Sequence, residues 1–375
     1  MNPVQHRNLN RQNCLVMTKT KSKISLKKLL TPKQWLIVIV VFAAMLGLFT
    51  YTFFWPNRIE GKPFVKIVIK KGHTLNQVID TLYSKGIIPS KRNMKIAAYL
   101  LGAEKNIVAG RYEIPNSISY VNLVLMFKEG KCEQPVYVHL YDGITLRALG
   151  KVLNDKLFID SSDVVRLATD QIFIDSLAFE QRNNLSLTLN SLEGYLLPGD
   201  YYFYKDTSPN EVLRKLNAKF VSFFSENLKG SSVIPKYNSN QIITMASIIQ
   251  GESKKSEEHK TIAGVYYNRL RLGMKLQADP TIQYALNGKW RRLLYSDLQI
   301  ESPYNTYKHF GLPPGPINNP GQSAILAALN PEEHNYIFFV ADGTGGHTFS
   351  ENYRQHLLAV KDYKSKIETS VTKTN

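Results

Sequence analysis

Asn240–Lys255 reads NQIITMASIIQGESKK. Ile242, Met245, Ala246 and Ile249 fall at i, i+3, i+4 and i+7, the spacing of one buried helical face. Glu252 comes three residues after Ile249 and continues that face. A carboxyl group held against apolar neighbours resists ionisation, because burial penalises the charged form. A carboxylic acid still protonated near neutral pH can donate a proton to a leaving oxygen. The spacing equally suits a glutamate that ends a core helix and points into water, and the segment alone leaves both readings open.

The residues around this helix add weight to the first reading. Downstream come Tyr267-Asn268-Arg269-Leu270 and Met274-Lys275-Leu276-Gln277-Ala278-Asp279-Pro280-Thr281. Ser302-Pro303-Tyr304-Asn305-Thr306-Tyr307, Gly311-Leu312-Pro313-Pro314-Gly315-Pro316-Ile317 and Asn318-Asn319-Pro320-Gly321 follow. Phe339-Val340-Ala341-Asp342-Gly343-Thr344-Gly345-Gly346-His347-Thr348-Phe349 closes the series. In this order the motifs resemble the endolytic murein transglycosylases, the YceG-like (MltG) family of bacterial cell-wall enzymes. The resemblance runs from about Phe64 to Tyr363 and is densest from Ala246 to Phe349. It implies that Glu252 is the catalytic glutamate. Position 250 departs from the pattern: Gln250 stands where members often carry a second glutamate.

Formal charge on the 375 residues is +17, unevenly spread. Residues 1–34 hold eight Lys or Arg and no Asp or Glu, so +9 remains on the other 341 residues. A basic chain can bind nucleic acid, but here the basic run leads into Trp35–Trp55, WLIVIVVFAAMLGLFTYTFFW. These 21 uncharged residues can cross a hydrocarbon core of about 30 Å. Trp35, Tyr51 and Trp55 sit where aromatic belts form. The flanking charge predicts residues 1–34 in the cytoplasm and everything after residue 56 outside. A cleaved signal peptide fits less well, because the apolar run is too long and Phe53-Phe54-Trp55 offers no small-residue cleavage site. Cys14 and Cys132 would then lie on opposite sides, so no disulfide framework, metal cluster or cofactor is expected.

The expected fold class is α+β: a single N-terminal transmembrane helix, small α/β modules, then a mixed α+β catalytic domain. After a polar linker, Pro56–Pro63, Phe64–Ile69 alternates as a strand, and Thr74 can cap a helix through about Lys85. Val136–Tyr141 and the helix after Thr145 repeat this layout. Lys71-Gly72-His73-Thr74-Leu75 matches Asp142-Gly143-Ile144-Thr145-Leu146 at Gly, Thr and Leu, 71 residues apart. Such paired modules are similar to the LysM-like, glycan-binding part that the YceG-like family carries, and they equally fit spacers. The expected divisions are a LysM-like module at 63–134, a second unit with connecting segments at 135–236, a catalytic core at 237–364 and a disordered tail at 365–375.

Glycosidic cleavage usually takes two carboxylates. A lytic transglycosylase differs, because the sugar's own 6-hydroxyl closes onto the anomeric carbon and one acid suffices. Asp279 is the candidate second carboxylate, although Asp279-Pro280 reads better as an N-cap followed by the first helical residue. Gln277 can hydrogen-bond a sugar amide or hydroxyl. Asn268 can satisfy buried backbone or orient the acid. Tyr304, Asn305 and Thr306 line the glycan cleft by the resemblance, or form a packed turn. His347 has neither a nucleophile to serve nor metal-ligand spacing, and reads as structural.

The resemblance implies an enzyme of the inner membrane, with its catalytic domain on the periplasmic side. It would cut nascent peptidoglycan strands between MurNAc and GlcNAc, leave 1,6-anhydroMurNAc ends and work beside peptidoglycan synthases. Glycan strands and the membrane are the expected partners, and nucleic acid is not. A hydrolytic muramidase using Glu252 and Asp279, and a non-catalytic wall-binding scaffold, are the competing readings.

Overall fold

A computed structural model describes residues 31–59, 63–180, 190–233, 236–286 and 291–372. Most of the expected basic tail, with Cys14, lies outside them. The chain divides into two compact units between Glu133 and Gln134.

The first unit begins with α1, Pro32–Phe54, capped by Thr31 and Gln34 in a reciprocal capping box. Its 23 residues span about 34 Å. Length and composition suit a membrane crossing, and Leu36, Phe42, Met45 and Leu48 are exposed to solvent rather than covered by protein. The last turn behaves differently. Phe53 is buried, with its ring centroid 6.2 Å from that of Tyr120. The expected linker is also partly structured: β1, Asn57–Arg58, pairs antiparallel with β4, Ser117–Ile118. A free spacer is therefore the wrong description of Asn57 and Arg58, because the ladder fixes them.

Between these lie β2 (Phe64–Ile69), α2 (Leu75–Ser84), α3 (Lys91–Leu100) and β3 (Gly110–Pro115), with α4 (Tyr120–Lys128) following β4. Strands β2 and β3 pair antiparallel along their whole length, from Phe64↔Pro115 to Ile69↔Gly110. Ile67, Leu82, Ile87, Tyr112 and Phe127 fill the core beneath them. Thr74 caps α2 as its sequence predicts, again with a capping box.

The second unit opens with a similar arrangement that has one helix more between its paired strands. Strand β5 (Val136–Leu140) leads to α5 (Leu146–Leu157), α6 (Ser161–Ala168) and α7 (Gln171–Glu180), and β6 (Gly199–Phe203) returns antiparallel to β5. The matched glycines Gly72 and Gly143 have φ of +90° and +83°. Side-chain-bearing residues rarely adopt that region, which explains why the repeat keeps glycine there. Leu149, Leu153, Val164 and Tyr201 form the core of this half. Helix α8, Pro209–Leu228, starts at a capping box of Ser208 and Glu211.

The remainder is built around α9, Ser239–Glu252. Its sequence predicts one buried stripe, yet every residue from Ile242 to Gln250 is buried. Helices α10 (His259–Arg271), α11 (Asp279–Ala285) and α12 (Gln322–Leu329) pack around it. The polar members survive burial by bonding. Ser247 donates to Thr244 O at 2.7 Å and accepts from Ile317 N at 3.0 Å, and Gln250 accepts from Gly321 N at 3.0 Å. The residue at the unusual position 250 thus holds the loop that starts α12. Strands β7 (Phe338–Ala341) and β8 (His347–Ser350) form an antiparallel hairpin, followed by α13, Tyr353–Thr372. The expected disorder from residue 365 is corrected as far as Thr372, since no Gly or Pro interrupts the helix from Tyr353 onward.

Candidate active site

Glu252 occupies the last turn of α9, where the fully packed helix runs out into a cavity of about 250 Å³. Tyr266, Gln277, Asp279, Tyr307 and His347 share its walls. The Tyr266 hydroxyl donates to Glu252 Oε1 at 2.5 Å. Burial pushes the Glu252 carboxyl up to about 7. The Tyr266 bond and the nearby Arg269 charge oppose this shift, and the nearby Asp279 charge adds to it. The acid expected from the sequence is therefore poised to hold or release its proton near neutrality.

Asp279 is not an N-cap. It is the first residue of α11, Ala278 holds the cap position, and no side chain caps that end. The Asp279 carboxylate instead accepts from the Tyr307 hydroxyl at 2.6 Å inside the acid cavity. Capping chemistry alone could not anticipate this, because the competing partner comes from a segment 28 residues away.

Gln277 also lines the cavity, with φ of +51°, a region uncommon for residues with a side chain. Its neighbours hold it there. Gln277 N donates to Thr306 O at 3.1 Å, and Ala278 N to Thr306 Oγ1 at 2.9 Å. The Arg269 guanidinium donates to Leu276 O and Ile337 O, each at 2.7 Å. Strained backbone of this kind tends to gather at functional sites.

Four other expected site residues lie elsewhere. Asn305 and Thr306 are buried and serve the turn rather than face a cleft. Asn305 Nδ2 bonds Leu298 O and Ile300 O, and its Oδ1 receives Tyr307 N, so it aims Tyr307. Asn268 donates to His334 O at 2.7 Å and Tyr336 O at 3.1 Å, fastening α10 to the segment before β7. Tyr304 stands against Tyr284, with ring centroids 4.8 Å apart. His347 pairs with Glu258 at 2.8 Å and also reaches the acid cavity. Against the pull of burial, hydrogen bonds from His347 and Ser253 hold the Glu258 carboxyl below its ordinary value. Sequence reasoning assigned no role to Tyr266, Arg269 or Tyr307. Among the described residues no group of three or more His, Cys, Asp or Glu side chains could hold a metal ion.

Known proteins share this arrangement of sequence. A protein of Bacillus subtilis (strain 168) named endolytic murein transglycosylase is 30% identical over 317 residues, covering 83% of this chain and 88% of its own. A Streptococcus pneumoniae (strain R6) protein of the same name is 28% identical over 358 residues, 86% of this chain, which spans 64% of that longer relative. The crystal structure of a YceG-like protein from Listeria monocytogenes aligns with a TM-score of 0.54 at 29% identity, over 79% of this chain and 98% of its own. The YceG-like family itself matches residues 67–362, from β2 through α13, and the chain belongs to that family.

Proposed function

We propose that this chain is a peptidoglycan lytic transglycosylase that cuts glycan strands internally, between MurNAc and GlcNAc. The observation that carries this reading is Glu252: a carboxyl pushed up to about 7, opening into a cavity, in a chain of this family. Protonated Glu252 gives its proton to the glycosidic oxygen as the bond to the MurNAc anomeric carbon breaks. The GlcNAc side leaves as an alcohol. The 6-hydroxyl of the same MurNAc closes onto the anomeric carbon and returns its proton to Glu252. No water enters, and the acid is restored. Tyr266 holds the carboxyl in place through both halves.

A hydrolytic muramidase is the second reading, favoured by one observation: Asp279 shares the cavity with Glu252 and does not cap α11. Asp279→Asn separates the two. For the transglycosylase, losing a nearby negative charge should lower turnover roughly tenfold, on the scale of one charged hydrogen bond, while anhydro ends persist. The same loss lowers the Glu252 pKa, so the alkaline limb of activity should move to lower pH. For the hydrolase, Asp279→Asn should be as damaging as loss of the acid, with reducing ends from the wild type.

The anchor reading gives α1 as a single crossing, N-terminus in the cytoplasm and both units outside. The arrangements β2–α2–α3–β3 and β5–α5–α6–α7–β6 would then be wall contacts of LysM-like kind, near the membrane where peptidoglycan synthases release new strands. A reporter active only outside the cytoplasm should work when fused after residue 375. Activity only when it is fused ahead of residue 1 would invert the orientation.

A further inference from the structure

His347 opens β8 and lines the acid cavity together with Glu252. Its backbone N donates to Glu258 Oε1 at 2.9 Å, and its ring Nδ1 lies 2.8 Å from Glu258 Oε2. Gly346 makes this approach possible, since an added Cβ there would stand 2.6 Å from Glu258 Oε1. Glu258 is not part of the cavity wall. It sits behind His347 and accepts from Ser253 Oγ, next to the acid, at 3.2 Å.

This pairing decides which ring nitrogen carries the proton. Against the pull of burial, hydrogen bonds from His347 and Ser253 hold the Glu258 carboxyl below its ordinary value, so at neutral pH it is ionised and only accepts. Nδ1 must then be the N–H, and in a neutral imidazole Nε2 is the bare acceptor. Among the described residues none hydrogen-bonds Nε2. Nor is that atom sealed in protein, unlike the partnerless Nδ1 of His356. With the Nδ1 edge held from behind, the Nε2 edge is the one turned to the cavity. The Phe339 ring stands edge-on to the imidazole, 5.2 Å between centroids, and limits how far it can turn. A fixed and unmet acceptor thus sits in the wall that a sugar at Glu252 must share, and such an acceptor asks for a donor.

We propose that His347 Nε2 is a substrate contact, accepting a hydrogen bond from a hydroxyl or acetamido N–H of the sugar bound at the cut, and that Glu258 is the positioning residue that keeps it an acceptor. The proposal rests on the function proposed above, which supplies the sugar.

The test uses the full chain in detergent, carrying Glu252→Gln so that glycan is not consumed, at about pH 8, where a free imidazole is neutral. Fluorescence anisotropy reads the binding of a labelled GlcNAc–MurNAc tetrasaccharide. Adding His347→Ala should weaken binding roughly three- to tenfold, the scale of one hydrogen bond. Adding Glu258→Gln instead should cost about as much. The new amide keeps its carbonyl on the His347 backbone N–H and turns its NH2 to Nδ1, which drives the ring proton to Nε2. Both changes together should weaken binding no further than His347→Ala alone. Nitrogen NMR of histidine-labelled protein reads the same event. The His347 Nε2 signal, identified by its loss in His347→Ala, should be of the unprotonated kind in the parent and of the protonated kind with Glu258→Gln. Binding equal to the parent's in either variant, additive losses in the pair, or a proton on Nε2 in the parent would each overturn the contact. If His347→Ala fails to fold by circular dichroism, Glu258→Gln and the nitrogen spectrum decide. A parent that binds no tetrasaccharide also overturns the contact, and wild-type cleavage of glycan strands, scored separately, shows whether the cutting activity stands without it.

Discussion

Glu252→Gln should lower turnover on glycan strands by at least about a hundredfold, the usual scale for loss of a general acid. Glutamine keeps the size of the side chain and can still accept from Tyr266, so the fold should persist and circular dichroism should be unchanged. The wild type should also report the acid through pH. A carboxyl pushed up to about 7 is protonated below that value and ionised above it. Activity should therefore hold on the acid side and fall about tenfold per unit of pH above the pKa. Turnover of the variant within a few-fold of wild type would remove Glu252 from the mechanism.

Arg269→Leu should be the most damaging single change to the fold around the site. The guanidinium is buried, donates to Leu276 O and Ile337 O, and lies over the Phe338 ring, 5.4 Å from its centroid. Leucine leaves the buried Leu276 carbonyl and the part-buried Ile337 carbonyl without this donor, a loss of roughly 3 kcal/mol. In a folding unit the size of Gln134–Asn375 that lowers the melting temperature by about 6–12 °C. Arg269→Lys keeps the charge but cannot bond both carbonyls in a fork, and should fall between. Folded Arg269→Leu molecules should also show an alkaline limb moved to higher pH, because the Arg269 charge lowers the Glu252 pKa. A melting temperature equal to wild type would show that the carbonyls find other partners.

The local parts of this structure were readable because their causes are local. Thr74 and Ser208 cap helices through bonds that span three residues. Gly72 and Gly143 mark matching turns because the backbone there needs positive φ. The apolar run of α1 stands out by length alone. What escaped depends on distant segments. Tyr266, Tyr307 and Arg269 are ordinary residues in their own windows, and they matter only once α10 and the 305–307 turn meet the end of α9. The same holds for Asp279, whose neighbours read as a cap until Tyr307 is brought beside it. Burial of α9 on every side from Ile242 to Gln250 was hidden as well, since Thr244, Ser247 and Gln250 look like a solvent face until their partners are known.

The most direct measurement is the fate of oxygen at the cut. Uncrosslinked glycan strands are digested in water enriched in heavy oxygen, with the wild type and Glu252→Gln side by side, and the new ends are weighed by mass spectrometry. Wild type is expected to give 1,6-anhydroMurNAc ends with no heavy oxygen, and the variant almost no new ends. Reducing ends that each carry one heavy oxygen would contradict the transglycosylase and identify a hydrolase.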